Sequence, residues 1–164
     1  MQIHLLYGTE TGTAEILCDD LKDELDGEIE CVVQSLEDMG PADLSTDALN
    51  VFVVATTGSG ELPFTAIPFF DKLQAEKPDL SNVQFAIFGL GDKTFAATFN
   101  YGSQTIMDKL LELNAKQVGT RGLFDASGNE MPEEVAMPWL RETLEAASVS
   151  KASTSEQTGA RQLW

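Results

Sequence analysis

Short apolar runs alternate with helical patterns along most of the chain. Five runs rich in β-branched or aromatic residues predict strands at 3–6, 29–33, 51–55, 83–88 and 117–124. Apolar positions spaced by three and four residues predict helices at 14–25, 67–75, 101–113 and 133–147. The third run is apolar at every position, which is typical of a strand covered on both faces. The alternation predicts an α/β fold, a parallel sheet of five strands enclosed by helices.

The composition is that of one folded domain followed by a polar segment. The chain has 164 residues, 43% of them apolar, which is enough to bury a substantial core. Residues 1–147 carry the strand and helix patterns, and we expect them to form this domain. Residues 148–164 are interpreted as a tail, because six of the residues from 148 to 158 are Ser or Thr. No run of eighteen apolar residues occurs, so no membrane span is expected.

The net charge of −17 is concentrated in the first part of the chain. Residues 1–71 hold fifteen acidic residues and one basic residue, Lys22, whereas the remainder holds twelve acidic and nine basic residues. Nucleic-acid binding is disfavoured because it requires a basic surface. An asymmetric negative field favours a basic protein partner. The alternative is that the acidity serves only solubility.

Three segments rich in glycine and hydroxyl groups follow the first, third and fourth predicted strands. They read TETGT, TTGSGELP and GLGDKTF. Ligands of open α/β sheets bind beyond the carboxyl ends of the strands, where these segments meet. The first segment also opens a helix, so its free N–H groups and threonine hydroxyls could hold a phosphate without a cation. The alternative is a capped helix whose threonines bond only their own backbone.

Other phosphate-binding motifs do not fit the chain. It contains no GxxxxGK[ST] sequence, which excludes a P-loop, and no GxGxxG follows the first strand. A phosphoacceptor receiver domain would share the strand plan but would need clustered carboxylates where this chain has Thr and Gly.

The motifs YGTETGTAE, ATTGSGELP, GLGDKTF and GLFDASGN occur in this order, and together they resemble the flavodoxin family. The resemblance extends over residues 3–144 and is strongest to short stand-alone flavodoxins of the MioC type and to the FMN domains of diflavin reductases. It implies a flavodoxin-like, doubly wound five-stranded parallel sheet of order 2-1-3-4-5 that binds FMN noncovalently. It also implies a one-electron carrier that passes electrons from a reductase to an acceptor enzyme.

Carried over by position, the resemblance assigns sixteen residues to FMN and none to catalysis or to a metal. The phosphate contacts are Thr9, Glu10, Thr11, Gly12 and Thr13. One side of the ring is lined by Thr56, Thr57, Gly58, Ser59 and Gly60. The other side is lined by Leu90, Gly91, Asp92 and Phe95, and further flavin or ribityl contacts are Asn100 and Asp125. In relatives, the carbonyl at the Gly58–Ser59 position turns toward the ring and stabilises the one-electron state.

The chain departs from the family at the ring. Thr57 stands where many relatives have a stacking aromatic, and Phe95 stands where tyrosine is usual. Phe64 and Trp164 are the candidate replacements for the missing aromatic. The open face at Thr57 leaves an alternative function, a flavin-dependent reductase of a small substrate such as a quinone. A flavodoxin-like interaction module without cofactor is a third possibility.

The expected partners are basic redox proteins, namely an NAD(P)H-dependent reductase and an acceptor enzyme. The carrier itself is expected to be a monomer and not an enzyme. Cys18 and Cys31 are the only cysteines and form no CxxC pair, which favours a reduced, cytoplasmic setting.

Overall fold

A computed structural model describes residues 2–57 and 60–163. The strands are β1 Gln2–Gly8, β2 Glu30–Ser35, β3 Leu49–Ala55, β4 Gln84–Gly91, β5 Lys116–Gln117 and β6 Gly122–Asp125. The helices are α1 Thr13–Glu24, α2 Ile67–Glu76, α3 Tyr101–Glu112 and α4 Pro132–Leu163. Short 3-10 helices lie at Leu36–Asp38, Pro41–Asp43 and Lys93–Thr98.

The strands form one parallel sheet. Its order is β2-β1-β3-β4-β5, and β6 also pairs with β4. The order reverses direction between β1 and β3, so α1 and α4 lie on one face of the sheet and α2 and α3 on the other. The predicted fold class and strand order are confirmed.

The fifth predicted strand is divided in two. Gln84 pairs with Lys116 in β5 and Phe88 pairs with Gly122 in β6, both in parallel register. Between them the chain leaves the extended conformation at Gly119, whose φ of 72° is left-handed. Such an angle is cheap only for glycine, and it breaks the hydrogen-bond ladder. The prediction of one uninterrupted strand over 117–124 was therefore wrong in its middle part.

The core lies on both faces of the sheet. One cluster joins residues such as Val51 and Val53 of β3 to α1 and α4. The other joins Phe52 and Val54 of the same strand to α2 and α3. Successive residues of a strand point to opposite faces. The uniformly apolar run is thus explained by helices on both sides.

The last helix is longer than its hydrophobic pattern predicts. We expected α4 to end near Ala147, but it continues to Leu163. Residues 148–158 contain neither proline nor glycine, so no residue in that stretch forces the helix to end. The division into a domain at 1–147 and a tail at 148–164 stays a prediction, and Trp164 lies outside the described residues. Within the described part of the chain, no helix combines the length and apolar character needed to cross a membrane.

Candidate functional site

A cleft of about 380 Å³ opens at the carboxyl ends of β1, β3 and β4. This volume is within the usual range of ligand sites, about 300–1,000 Å³. All three glycine- and hydroxyl-rich segments contribute to its walls, as expected for the carboxyl ends of parallel strands. The predicted site residues that line it are Glu10, Thr11, Thr13, Thr56, Thr57, Leu90, Gly91, Asp92, Phe95 and Asn100.

The remaining predicted residues lie elsewhere. Thr9, Gly12, Gly60 and Asp125 are not among the lining residues. Gly58 and Ser59 lie outside the described residues, so their contacts with the ring stay a prediction. Five lining residues were missed by sequence reasoning: Ala55, Thr98, Phe99, Phe124 and Ala126.

A pair of buried threonines fixes the first segment. The N–H of Thr9 donates to Oγ1 of Thr65 at 2.7 Å, and the same oxygen donates to the carbonyl of Thr9 at 3.0 Å. Oγ1 of Thr9 accepts a hydrogen bond from the N–H of Gly12 at 2.8 Å. Thr9 therefore shapes the segment from within and leaves its surface to the residues that follow.

The end of the first segment presents neutral donors to the cleft. Gly12 is the N-cap of α1 with a left-handed φ of 95°, and a Cβ built there would meet nothing within 4 Å. The first N–H groups of a helix have no partner inside it, and the helix dipole favours an anion there. The side chains of Thr11 and Thr13 are exposed beside them. None of the described lining residues is Lys or Arg. The donor set therefore fits a phosphate held without a cation.

Glu10 connects two of the segments. Its Oε2 accepts a hydrogen bond from the N–H of Phe64, in the loop after β3, at 2.9 Å. The carboxylate is thus tied to protein backbone. Phe64 is exposed and does not line the cleft, so it supplies no stacking surface there.

Hydrogen bonds within the second segment hold its loop together. Oγ1 of Thr57 accepts from the N–H of Glu61 at 3.0 Å, and the N–H of Thr57 donates to the carbonyl of Glu61 at 3.1 Å. Gly60 has a φ of 86° and donates its N–H to the carbonyl of Thr57 at 2.9 Å. The Thr57 side chain therefore organises its own loop. Of the three aromatic residues that line the described part of the cleft, Phe95 is the most exposed, at 52%, and offers a surface to a planar ligand; the others are Phe99 and Phe124.

Two aspartates fix the third segment. Oδ1 of Asp92 accepts from the N–H and the hydroxyl of Thr94, at 2.9 Å and 2.6 Å. Oδ1 of Asp125 accepts from the N–H of Lys93 at 2.9 Å and from the hydroxyl of Ser127 at 2.7 Å. The hydrogen bond from the Lys93 backbone, followed by those from Ser127, lowers the pKa of Asp125. Asp125 thus joins the loops after β4 and β6, and its predicted cofactor contact stays a prediction.

Asn100 lines the cleft and carries one buried acceptor that has no partner among the described residues. The residue is fully buried and has a left-handed φ of 57°. Its Nδ2 donates to the carbonyl of Phe124 at 3.4 Å, while Oδ1 has no hydrogen-bond partner among the described residues. Buried polar atoms without a partner are uncommon. This oxygen lies against Gly89 of β4, whereas Nδ2 keeps a second hydrogen that it could donate to an acceptor on a ligand.

The order of the parallel sheet, the cleft and the neutral donor set at the start of α1 define a flavodoxin-like protein. The chain matches the flavodoxin family over residues 5–139 and belongs to that family. No cluster of His, Cys, Asp or Glu that could hold a metal ion occurs in the part of the chain that the structure describes.

Relatives of two kinds support this assignment. Protein MioC of Escherichia coli O157:H7 is 30% identical over 138 residues, which cover 84% of this chain and 92% of MioC. NADPH–cytochrome P450 reductase of Homo sapiens is 35% identical over 168 residues, which cover 98% of this chain and 24% of the reductase. NADPH-dependent diflavin oxidoreductase 1 of Schizosaccharomyces pombe is 34% identical over 141 residues, which cover 84% of this chain and 24% of the oxidoreductase. The chain therefore spans about a quarter of the length of these two reductases.

A solved structure agrees with the fold. A cysteine-to-serine mutant of flavodoxin from Pseudomonas aeruginosa superimposes with a TM-score of 0.76 at 28% identity, covering 89% of this chain and 98% of the flavodoxin. Membership of the family confirms the expectation of FMN as the cofactor.

Proposed function

We propose that this chain carries electrons singly from an NAD(P)H-dependent reductase to an acceptor enzyme, with FMN bound noncovalently in the cleft. The observation that carries the proposal is the neutral donor set at the start of α1, which opens onto the same cleft as Phe95 and Asn100. FMN supplies a ring that accepts and releases electrons. The chain holds its phosphate with backbone N–H groups, Thr11 and Thr13, and covers part of its ring.

The lining residues suit a carrier better than an enzyme. Among the described lining residues only Glu10 and Asp92 carry a carboxylate. Both carboxylates accept hydrogen bonds from backbone N–H groups, of Phe64 and Thr94 respectively. They are occupied in shaping the loops, and electron transfer requires no proton-transferring side chain from the protein.

The charge distribution supports a basic partner. Fourteen of the seventeen net negative charges come from residues 1–71, the half that includes the first segment and α1. A basic reductase or acceptor would be attracted to this side. We further propose a monomer in the cytoplasm. Cys18 and Cys31 are buried free thiols, which is consistent with a reducing compartment.

A reductive titration of the purified protein tests the cofactor and the carrier role together. We expect one FMN per chain, and reduction by NAD(P)H only after a separate reductase is added. A chain that refuses added FMN would overturn the proposal. Steady NAD(P)H oxidation by the chain alone, with a quinone as acceptor, would replace the carrier with an enzyme.

Replacing Thr11 and Thr13 by valine tests the phosphate assignment. Each lost hydroxyl hydrogen bond is worth about 1 kcal/mol, or roughly fivefold in affinity. The double variant should therefore bind FMN about 25-fold more weakly, and riboflavin, which lacks the phosphate, with little change. Equal losses for the two ligands would contradict the assignment.

Ionic strength separates the two electrostatic parts of the proposal. Raising the salt concentration from 0.01 M to 0.15 M shortens the Debye length from about 30 Å to about 8 Å. Screening should tighten FMN binding, because the phosphate is repelled by an acidic chain, and should slow reduction by a basic partner. A partner reaction that accelerates with salt would exclude a basic docking surface.

A further inference from the structure

We propose that Arg121 is a positioning residue that fixes Asn100 for flavin binding, acting from behind the wall of the cleft. The inference rests on the proposed function, because it takes FMN as the ligand. It gives a role to a side chain that does not line the cleft.

Arg121 forms a closed hydrogen-bond triangle with α3. Its Nη1 donates to the carbonyl of Asn100 at 2.9 Å and to Oγ of Ser103 at 3.0 Å. Oγ of Ser103 in turn donates to the same carbonyl at 3.0 Å. The hydroxyl thus uses both its donor and its acceptor capacity inside the triangle. A hydrogen bond from a guanidinium is stronger than one from a neutral donor.

The triangle acts on the peptide group that sets the direction of the Asn100 side chain. Asn100 is the N-cap of α3 with φ 57° and ψ 26°, a left-handed conformation that Asn adopts more readily than most residues but still at a cost. Its carbonyl accepts from Arg121, from Ser103 and from the N–H of Gln104. Removing the strongest of these donors would leave the left-handed turn less determined.

The sheet leaves the Asn100 side chain little room for another position. Gly89 and Gly91 of β4 face it, and a Cβ built at Gly89 would overlap both Oδ1 of Asn100 and Oγ of Ser103. A Cβ at Gly91 would lie 2.9 Å from the backbone N of Asn100. The start of α3 therefore rests directly on the β4 backbone, and Arg121 closes the arrangement from the other side.

The orientation of the Asn100 amide leaves one donor hydrogen on Nδ2 for a ligand. Nδ2 faces the carbonyl of Phe124, and the reversed amide would set Oδ1 against that carbonyl. In the observed orientation Oδ1 has no donor among the described residues although it is buried. The flavin ring and its ribityl chain both carry acceptors, so a correctly held Asn100, which lines the cleft, can donate a hydrogen bond from Nδ2 to either.

The guanidinium of Arg121 keeps its positive charge although the side chain is half-buried. The side chain is half-buried, and this burial lowers its pKa, whereas the nearby Asp108 raises it. Arg stays protonated in proteins, so the guanidinium retains its charge. It lies in the segment between β5 and β6, where the ladder is interrupted, and this break is what brings it to α3.

The test compares Arg121→Met with Arg141→Met. Arg141 is exposed on α4 and pairs with Glu28 at 3.1 Å, so its substitution removes the same charge from a residue that neither lines the cleft nor belongs to the triangle. Dissociation constants of FMN and riboflavin for the apoprotein are measured by flavin fluorescence quenching. We expect Arg121→Met to weaken both flavins about tenfold, which corresponds to 1.4 kcal/mol, and Arg141→Met to change them less than twofold. Ser103→Ala, a milder change in the same triangle, should weaken both about threefold.

A double-mutant cycle separates positioning from a general loss of structure. Asn100→Gly tolerates the left-handed φ and removes only the side chain. In that background Arg121→Met should no longer change the flavin dissociation constants, even if thermal melts show a lower Tm. The same tenfold loss with and without the Asn100 side chain would overturn the inference.

The outcomes distinguish this inference from the proposed function. If the wild-type chain binds neither flavin, the proposed function itself fails. If the wild type binds FMN while Arg121→Met or Ser103→Ala matches Arg141→Met, only the role of Arg121 fails.

Discussion

Replacing Thr65 by valine removes one oxygen that satisfies two buried backbone groups. Oγ1 of Thr65 accepts from the N–H of Thr9 and donates to its carbonyl. Thr9 and Thr65 are only 7% and 5% exposed. Valine has nearly the same shape, so the substitution leaves both groups of Thr9 without a partner while changing the packing little.

The magnitude follows from the number of groups left unpaired. A buried donor or acceptor without a partner costs about 1–3 kcal/mol. Two such groups would cost about 2–6 kcal/mol, and water from the neighbouring cleft should relieve part of this. We therefore expect the free energy of unfolding to fall by about 3 kcal/mol, a factor of roughly 150 in the folding equilibrium. The first segment should also lose its fixed geometry, so FMN should bind more weakly.

Urea unfolding of the apoprotein measures this effect, and Thr143→Val is the matched control. Thr143 is 2% exposed and its hydroxyl donates to the carbonyl of Trp139 at 2.8 Å. That carbonyl lies within α4 and has a helical amide partner of its own. The control should therefore lose less than about 1 kcal/mol. If Thr65→Val lowered the free energy of unfolding no more than Thr143→Val, the threonine pair would not be what fixes the segment.

Three further predictions concern single residues. Gly89→Ala should lower the free energy of unfolding by about 1–3 kcal/mol by overpacking. The control Gly128→Ala, whose Cβ would meet its nearest neighbour at 3.5 Å, should be nearly neutral. Equal Tm values for the two variants would contradict this prediction. The hydrogen bond from the Lys93 N–H lowers the pKa of Asp125, so the ionised carboxylate stabilises the folded chain above the unfolded pKa of about 3.9. This stabilisation is lost as the pH falls through the pKa that Asp125 has in the folded chain. In the variant Asp125→Asn, the urea midpoint of unfolding should therefore decrease less steeply as the pH is lowered. The same decrease as in the wild type would refute this prediction. Burial raises the pKa of the Cys18 thiol, so a maleimide should label it only after unfolding.

The fold was predictable because its signals are local and repeated. The apolar run of β3 predicts a strand covered on both faces, and the structure places its alternate residues in two separate cores. Glycine and hydroxyl residues after three strands predict a common site, since the carboxyl ends of parallel strands share one edge. Phe124 and Ala126 lie at the end of β6, at that same edge, so the rule that found the other segments could have found them too.

The parts that could not be predicted depend on contacts between distant residues. Thr9 was assigned to the phosphate by its position in the family motif, and the sequence did not show that its hydroxyl and backbone also bond Gly12 and Thr65. Asp125 was assigned to FMN in the same way, and the sequence did not show that its carboxylate also accepts from the N–H of Lys93, which is 32 residues away. Local periodicity carries no information about such partners. It also could not show that the left-handed turn at Gly119 divides the fifth strand.

A site that binds an anion without a cation depends on neutral donors that are held in place before the ligand arrives. Backbone N–H groups contribute no net charge, so they gain from being oriented in advance. The Thr9–Thr65 pair and the bond from Phe64 to Glu10 tie the first segment to the loop after β3. Each tie removes freedom that the ligand would otherwise have to remove itself. None of the described lining residues is Lys or Arg, so the cleft would add no cation beside a bound flavin ring, and the acidic chain would favour passing an electron from that ring to a partner.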